Sequence, residues 1–194
     1  MNTLEFLTPF VEKLLPGALA TNLACSETLK AWEEERKDLQ TIGFYADDNW
    51  ERAVQEFREY IETHPDSCNA YNYLGGALSA LGNNEAAIEA FRAGVKVAER
   101  TGQSVLPCKL RLGMALNDHG KPEIAVEMLQ NVLDNAADET PKFVGLSHLC
   151  LGNALNKAGR REEARVAWKK SIKLSRDKKY KDIARTMLAE NPCS

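Results

Sequence analysis

The 194-residue sequence has few aromatic residues and no long apolar run. Aromatic residues make up 7% of it, and the alternation of β-branched or aromatic with polar residues that marks strands is missing. No stretch approaches the roughly 18 apolar residues that a membrane-spanning helix needs, so no membrane span is expected. These absences argue against a β-rich or transmembrane protein, and the abundance of helix formers favours an all-α fold.

The five cysteines and three histidines form no recognisable chemical motif. They contain no Cys-x-x-Cys pair and no metal-ligand spacing, so neither a metal nor a cofactor is expected. A glycine-rich phosphate loop and a nucleophile–base pattern are also missing, which argues against an enzyme. We expect reduced thiols that pack as small apolar side chains in helices.

The N-terminal residues do not resemble a secretory signal peptide, because Glu5 and Pro9 interrupt the apolar run and no basic start precedes it. We therefore expect a cytoplasmic protein. Apolar residues from Leu4 to Leu14 recur at helical spacing and predict an N-terminal helix. This helix could cap the first repeat described below, dock in a groove of its own or a neighbouring chain, bind a partner or be disordered.

In place of these chemical motifs, the sequence contains an internal repeat. Segments 71–78, 109–116 and 147–155 share the pattern Leu-Gly-x-Ala-Leu at intervals of 38 and 39 residues. Twelve residues after each glycine comes an alanine, and four further on comes a large apolar residue. The positions are Gly75, Ala87 and Phe91; Gly113, Ala125 and Leu129; and Gly152, Ala164 and Trp168. Small residues let two helices cross closely, and we expect the large residue to fill the space between successive hairpins.

This spacing resembles the tetratricopeptide repeat family, whose pattern runs from a large residue and Leu-Gly to alanine, an aromatic residue and proline. An earlier unit matches in its second half, at Ala53, Phe57, Tyr60 and Pro65. The resemblance covers about residues 34–178. It implies an all-α superhelix, or solenoid, of about four helical hairpins with an N-terminal helix and a C-terminal capping helix. The expected divisions are an extension at 1–33, a degenerate first repeat at 34–67, repeats at 68–105, 106–144 and 145–176, and the cap at 177–194.

The repeat is longer than the 34 residues of the family. Because the glycine-to-alanine distance is constant, the extra residues are expected between the second helix of one unit and the first helix of the next. They amount to about one helical turn.

The resemblance also implies a binding surface, because the first helix of each tetratricopeptide hairpin lines a concave groove. Asparagine recurs there, and its amide can donate to and accept from a peptide backbone. Three apolar side chains would add pockets, although the asparagines could equally be solvated polar positions. The candidate groove residues are Asn69, Asn72, Leu110, Arg111, Met114, Asn117, Asp118, Leu149, Asn153 and Asn156.

One subclass of the family grips the C-terminal carboxylate of heat-shock proteins with a set of lysine, asparagine and arginine side chains. The corresponding positions here are Asp38, Ile42, Tyr73, Pro107 and Arg111, of which only Arg111 matches. The sequence therefore argues against that dicarboxylate clamp.

The charges are unevenly distributed, although the net charge is only −3. Residues 27–66 contain five basic against twelve acidic residues, a net charge of −7, whereas residues 157–181 contain eleven against three, or +8. Apart from Trp168 and Tyr180, which we assign to the core, the basic stretch lacks the interleaved aromatic residues of a nucleic-acid site. Two functions follow: an adaptor or chaperone-like scaffold that binds a protein or peptide partner, or an assembly protein that forms homo-oligomers through its charged ends and N-terminal helix.

Overall fold

The computed structural model describes residues 49–137 and 139–192. Within these ranges the chain forms helices and no strand. The helices are α1 Trp50–Thr63, α2 Cys68–Ala80, α3 Asn84–Thr101, α4 Leu106–Asp118, α5 Pro122–Asp134, α6 Pro141–Lys157, α7 Arg161–Leu174 and α8 Lys178–Glu190. The predicted N-terminal helix and the first half of the first repeat lie outside the described residues.

The helices are arranged as a helical-repeat solenoid. Each helix packs against the next one along the chain, so that α2 with α3, α4 with α5 and α6 with α7 form hairpins. Helices α2, α4, α6 and α8 also contact one another in succession and form the inner layer, while α3, α5 and α7 form the outer layer. The predicted all-α superhelical fold is confirmed. The predicted repeat boundaries remain predictions, because helix ends alone do not define them.

The turn inside each hairpin depends on a glycine with a left-handed backbone. Gly82, Gly120 and Gly159 have φ angles of 76°, 72° and 79°. Glycine adopts this conformation without the steric cost that a Cβ would impose, so each first helix ends sharply. Pro122 and Pro141 stand at the starts of α5 and α6, where the missing amide hydrogen removes no helical bond.

The repeat glycines mark the place where the two helices of a hairpin meet. In each hairpin the large side chain lies directly on the glycine of its own unit, rather than between successive hairpins as we expected. A Cβ added to the glycine would lie 2.6 Å from Phe91 at Gly75, 2.8 Å from Leu129 at Gly113 and 2.4 Å from Trp168 at Gly152. The paired alanines Ala87, Ala125 and Ala164 are fully buried. Only glycine leaves room for these contacts.

The extra residues of the long repeats are helical. Helix α3 has 18 residues against 13 in α5, so the first long junction extends an outer helix. Helix α6 has 17 residues against 13 in α4, so the second long junction extends an inner helix at its start. The two junctions therefore lengthen different layers of the solenoid.

The end of the described chain is closed by α8, which packs on α7 and contacts α6. Ala184 is fully buried, and Arg165 of α7 donates hydrogen bonds to carbonyl groups near the C-terminal end of α8. Beneath α8, Ser171 Oγ donates to the carbonyl of Gly145 at 2.7 Å. A Cβ at Gly145 would lie 2.5 Å from the Cβ of Ser175, so the added turn of α6 needs a glycine there.

Candidate protein-binding surface

The exposed side of α4 carries three of the predicted groove residues in one row. Arg111, Met114 and Asp118 are three and four residues apart, which places them on the same face of the helix. Arg111 and Asp118 are exposed and Met114 is half-buried. We call these three residues the inner row, because α4 belongs to the inner layer of helices.

Arg111 has no ion-pair partner among the described residues. Its guanidinium extends towards α2, where a Cβ built on Gly76 would lie 4.0 Å from Nη1. Because Gly76 has no side chain, this part of α2 leaves space above the guanidinium. Arg111 is therefore a cation available to a ligand at the middle of the inner layer.

A polar bridge joins the C-terminal ends of α4 and α6. Lys157 Nζ donates to the backbone oxygen of Asn117 at 3.2 Å and lies 3.6 Å from Asp118 Oδ1. About half of the Lys157 side chain and two thirds of the Asp118 side chain are exposed, so the pair contributes little to stability. Its charges remain accessible, so Lys157 joins the candidate surface.

The leucines predicted to form pockets are not on the surface. Leu110 and Leu149 are each 4% exposed and belong to the core. Because both side chains are covered, they are not part of the exposed candidate surface. Their helical positions face the neighbouring helix, which sequence spacing alone could not distinguish from the groove.

The predicted row of asparagines is not uniform. Asn153 accepts a hydrogen bond from Trp168 Nε1 at 2.9 Å, so its oxygen serves the core. The Oδ1 atoms of Asn72 and Asn117 are shielded and have no hydrogen-bond partner among the described residues. Asn69 and Asn156 are half-buried. Of the five, these last two are the most open to a ligand.

The outer layer carries a separate crevice, which the sequence did not indicate. It has a volume of about 460 Å³ and lies between α5 and α7 above α6. Arg160 closes one side through two hydrogen bonds of 2.7 Å to Glu163, and this contact lowers the pKa of the Glu163 carboxyl. The lining residues are Val126, Glu127, Gln130, Asn131, Asp134, Leu151, Leu155, Arg160 and Glu163.

Metal-binding and membrane-spanning features were also sought in the described ranges. Over residues 49–137 and 139–192, no group of three or more His, Cys, Asp or Glu side chains could hold a metal ion. In the same part of the chain, none of the helices has the length and apolar character needed to cross a bilayer.

Comparison with known proteins supports the fold. Residues 42–103 match the family model described as tetratricopeptide repeat. The structure titled "MamA RS-1 ArsTM double mutant" superposes with a TM-score of 0.60 at 19% identity, covering 79% of this chain and 83% of that chain. MamA 41-end from Desulfovibrio magneticus RS-1 gives 0.58 at 20% identity, with 80% and 89% covered. A search of the curated proteins finds no match. At these identities, the structural similarity establishes the fold alone.

Proposed function

The chain belongs to the tetratricopeptide repeat family, and we propose that it is an adaptor or chaperone-like scaffold that binds a segment of a partner protein. The proposed binding surface consists of the inner row, Asn69, Asn156 and Lys157. We propose no catalytic role for these side chains.

The observation that carries this proposal is the exposed inner row. Its two charged side chains are exposed: Arg111 has no ion pair among the described residues, and Asp118 pairs with the exposed Lys157 and accepts a hydrogen bond from Asn117 Nδ2 at 3.5 Å. Met114 places a thioether between the two charges, and methionine adapts to differently shaped apolar groups. A partner segment with an acidic group opposite Arg111 and an apolar group opposite Met114 would fit this order.

The remaining predicted groove residues take a supporting part in this proposal. Leu110 and Leu149 pack beneath the surface, and Asn153 is engaged by Trp168. The Oδ1 atoms of Asn72 and Asn117 are shielded, so we propose that these two residues support the surface and do not contact the ligand directly.

The test is quantitative recovery of partners from cells of the source organism. The wild-type protein is compared with Arg111→Ala plus Met114→Ala on the inner face. A matched control, Arg92→Ala plus Met128→Ala, changes the same residue types on the outer helices α3 and α5. Circular dichroism and thermal melts establish that all three proteins are folded.

We expect the inner-face variant to lose partners that the outer-face control retains. If both variants recover the same partners as wild type, the inner row does not bind them. If the control loses the partners and the inner-face variant keeps them, the binding surface is on the outer layer instead.

A second candidate function, self-association, is favoured by the basic surface of α7. Lys169, Lys170 and Lys173 are exposed and have no ion pair among the described residues. Beside them Val166 and Leu174 are 54% and 40% exposed. The acidic residues between 27 and 66 of a second copy would complement this surface.

Light scattering after size-exclusion chromatography tests this second function. We expect oligomers at low salt that dissociate at high salt, because exposed charges are screened. Lys169→Glu plus Lys173→Glu should abolish them. A monomer at every salt concentration would exclude the assembly function.

We also propose a cytoplasmic location. Cys108 and Cys150 are free thiols, as is usual in reducing compartments. Fractionation of cells expressing the protein would test this.

A further inference from the structure

The crevice of the outer layer combines an apolar floor with a polar rim. Its floor consists of Val126, Leu151 and Leu155, which are 7%, 6% and 4% exposed. The rim consists of exposed side chains on α5 and at the start of α7. The volume of about 460 Å³ lies in the range of ligand-binding pockets, so the crevice has room for part of a peptide.

One wall of the crevice is a single face of α5. Glu127, Gln130, Asn131 and Asp134 follow one another at helical spacing, so their side chains lie in a row. The two carboxylates stand at the ends of this row, about 10 Å apart along the helix axis. Gln130 donates a hydrogen bond to Asp134 at 2.9 Å, but neither acid has an ion-pair partner among the described residues. The wall therefore presents two negative charges that nothing in the described chain neutralises.

The basic side chain of the rim is already paired. Arg160 makes two hydrogen bonds of 2.7 Å to Glu163 and lies 4.0 Å from Glu123 of α5. A second cation, Lys109 of α4, is not part of the lining but donates to Asn131 Oδ1 at 3.3 Å. Among the described lining residues, three carboxylates stand against one guanidinium, a net charge of −2, and adding Glu123 and Lys109 leaves this balance unchanged. The crevice therefore attracts cations.

The acidic wall distinguishes this junction between hairpins from the preceding one. Basic residues predominate at the equivalent positions of α3, which lie 38 residues earlier and are Glu89, Arg92, Ala93 and Lys96. Ile124 stands where the later junction has Glu163. The floor, in contrast, is apolar at both junctions, and its equivalent residues are Ile88, Leu112 and Leu116. Packing of the repeats accounts for the floor but does not account for the acids.

We propose that this crevice is a second binding site, independent of the inner row, which takes a lysine-containing segment of a partner protein. Two lysine ammonium groups pair with Glu127 and Asp134, while aliphatic side chains between the lysines cover the floor. An extended segment of the polyproline II type repeats its side-chain direction every three residues, or about 9 Å, which matches the separation of the two acids. The expected motif is therefore Lys-x-x-Lys with aliphatic residues at x. Lys109 already provides an example of an ammonium group bound by an amide of this wall.

A nuclear magnetic resonance titration of the full, nitrogen-15-labelled chain tests the site. The probe is the peptide acetyl-Gly-Lys-Leu-Val-Lys-Gly-amide at low salt. We expect saturable shifts of the amide signals along the acidic face of α5 and at the start of α7. These shifts should weaken at high salt, because exposed charges are screened. The same peptide with both lysines acetylated should not bind, because acetylation removes the charge.

Matched variants connect binding to the two acids. Glu127→Gln plus Asp134→Asn removes both charges with little change in shape and should weaken binding of the probe about fivefold or more. Glu89→Gln plus Glu99→Gln removes the same charge from exposed positions of α3 and should leave the dissociation constant unchanged. Arg111→Ala plus Met114→Ala should also bind the probe like wild type, so failure of this site and failure of the inner row are distinguishable.

Four results would overturn the proposal. The first is a folded wild-type protein that shows no saturable shifts around the crevice at low salt. The second is equal binding of the acetylated peptide, and the third is equal weakening by the α3 control, which would reduce the effect to overall charge. The fourth is an oligomer of the wild-type protein that dissociates in the crevice variant, since a second copy would then occupy the crevice.

Discussion

Two adjacent glycines in α2 differ sharply in the space around them, and this difference can be measured. A Cβ at Gly75 would lie 2.6 Å from Phe91 Cε1, about 0.8 Å inside the 3.4 Å of ordinary contact. Phe91 is 2% exposed, so its ring has little room to move. A Cβ at Gly76 would meet nothing nearer than Arg111 Nη1 at 4.0 Å. We therefore predict that Gly75→Ala destabilises the protein relative to Gly76→Ala.

The pair of variants isolates the packing effect. Both replacements gain the same helix propensity of about 1 kcal/mol, since both glycines lie inside α2. Gly76→Ala should keep this gain. Gly75→Ala should also suffer overpacking of about 1–3 kcal/mol, so this is the expected difference in the free energy of unfolding. In a chain of this size it corresponds to roughly 2–4 °C in Tm per kcal/mol.

Urea and thermal unfolding of the two variants measure the difference, and a second substitution checks its cause. Phe91→Leu should recover part of the loss in Gly75→Ala, because leucine lacks the Cε1 and Cζ atoms that would lie 2.6 and 2.8 Å from the new Cβ. The double variant should be more stable than the sum of the single effects predicts. A Gly75→Ala protein as stable as Gly76→Ala, or a strictly additive double variant, would refute the close-contact explanation.

Three further predictions concern separate features. Burial lowers the pKa of the half-buried His148 below its ordinary value of 6.5, so the unfolded chain binds the proton more readily. Stability should therefore fall as the pH drops below about 6.5, and His148→Gln should flatten the free energy of unfolding between pH 7 and 5; an unchanged slope contradicts this. Ser67→Ala removes the side-chain cap of α2 and should cost about 1 kcal/mol in urea unfolding. Asn83→Ala, at a cap without a side-chain hydrogen bond, should cost less, and the reverse order would be evidence against the cap. Asn153→Met should cost about 1–2 kcal/mol because the Trp168 indole N–H loses its acceptor, whereas the cost should disappear when Trp168→Phe is added. Equal losses in both backgrounds would exclude that hydrogen bond as the cause.

The fold was predictable because its signals are local. Each repeat glycine and its large partner lie in one hairpin, so their spacing is visible within a single unit of sequence. The glycines of the hairpin turns are visible in the sequence for the same reason. Where the added turns belong was less predictable. The constant glycine-to-alanine distance places the extra residues between hairpins but does not indicate which helix is longer, and the structure assigns one turn to α3 and one to α6.

The binding surface was harder to predict, because a side chain's position depends on helices from other repeats. Leu110 and Leu149 have the helical positions of groove residues but are covered by neighbouring helices. Lys157 bridges to Asn117 and Asp118, which lie one repeat earlier in the sequence. Local spacing contains no information about such contacts.

Asn153 shows that some of this information was nevertheless present in the sequence. In the shared pattern Leu-Gly-x-Ala-Leu, the variable position is Gly76 in one unit, Met114 in the next and Asn153 in the last. The large residues of the same three units are phenylalanine, leucine and Trp168. Only tryptophan has a buried N–H that needs an acceptor, and only its unit supplies one, at 2.9 Å. Comparing the repeats with one another, rather than with the family pattern, therefore separates a residue that serves the core from one that is free to bind.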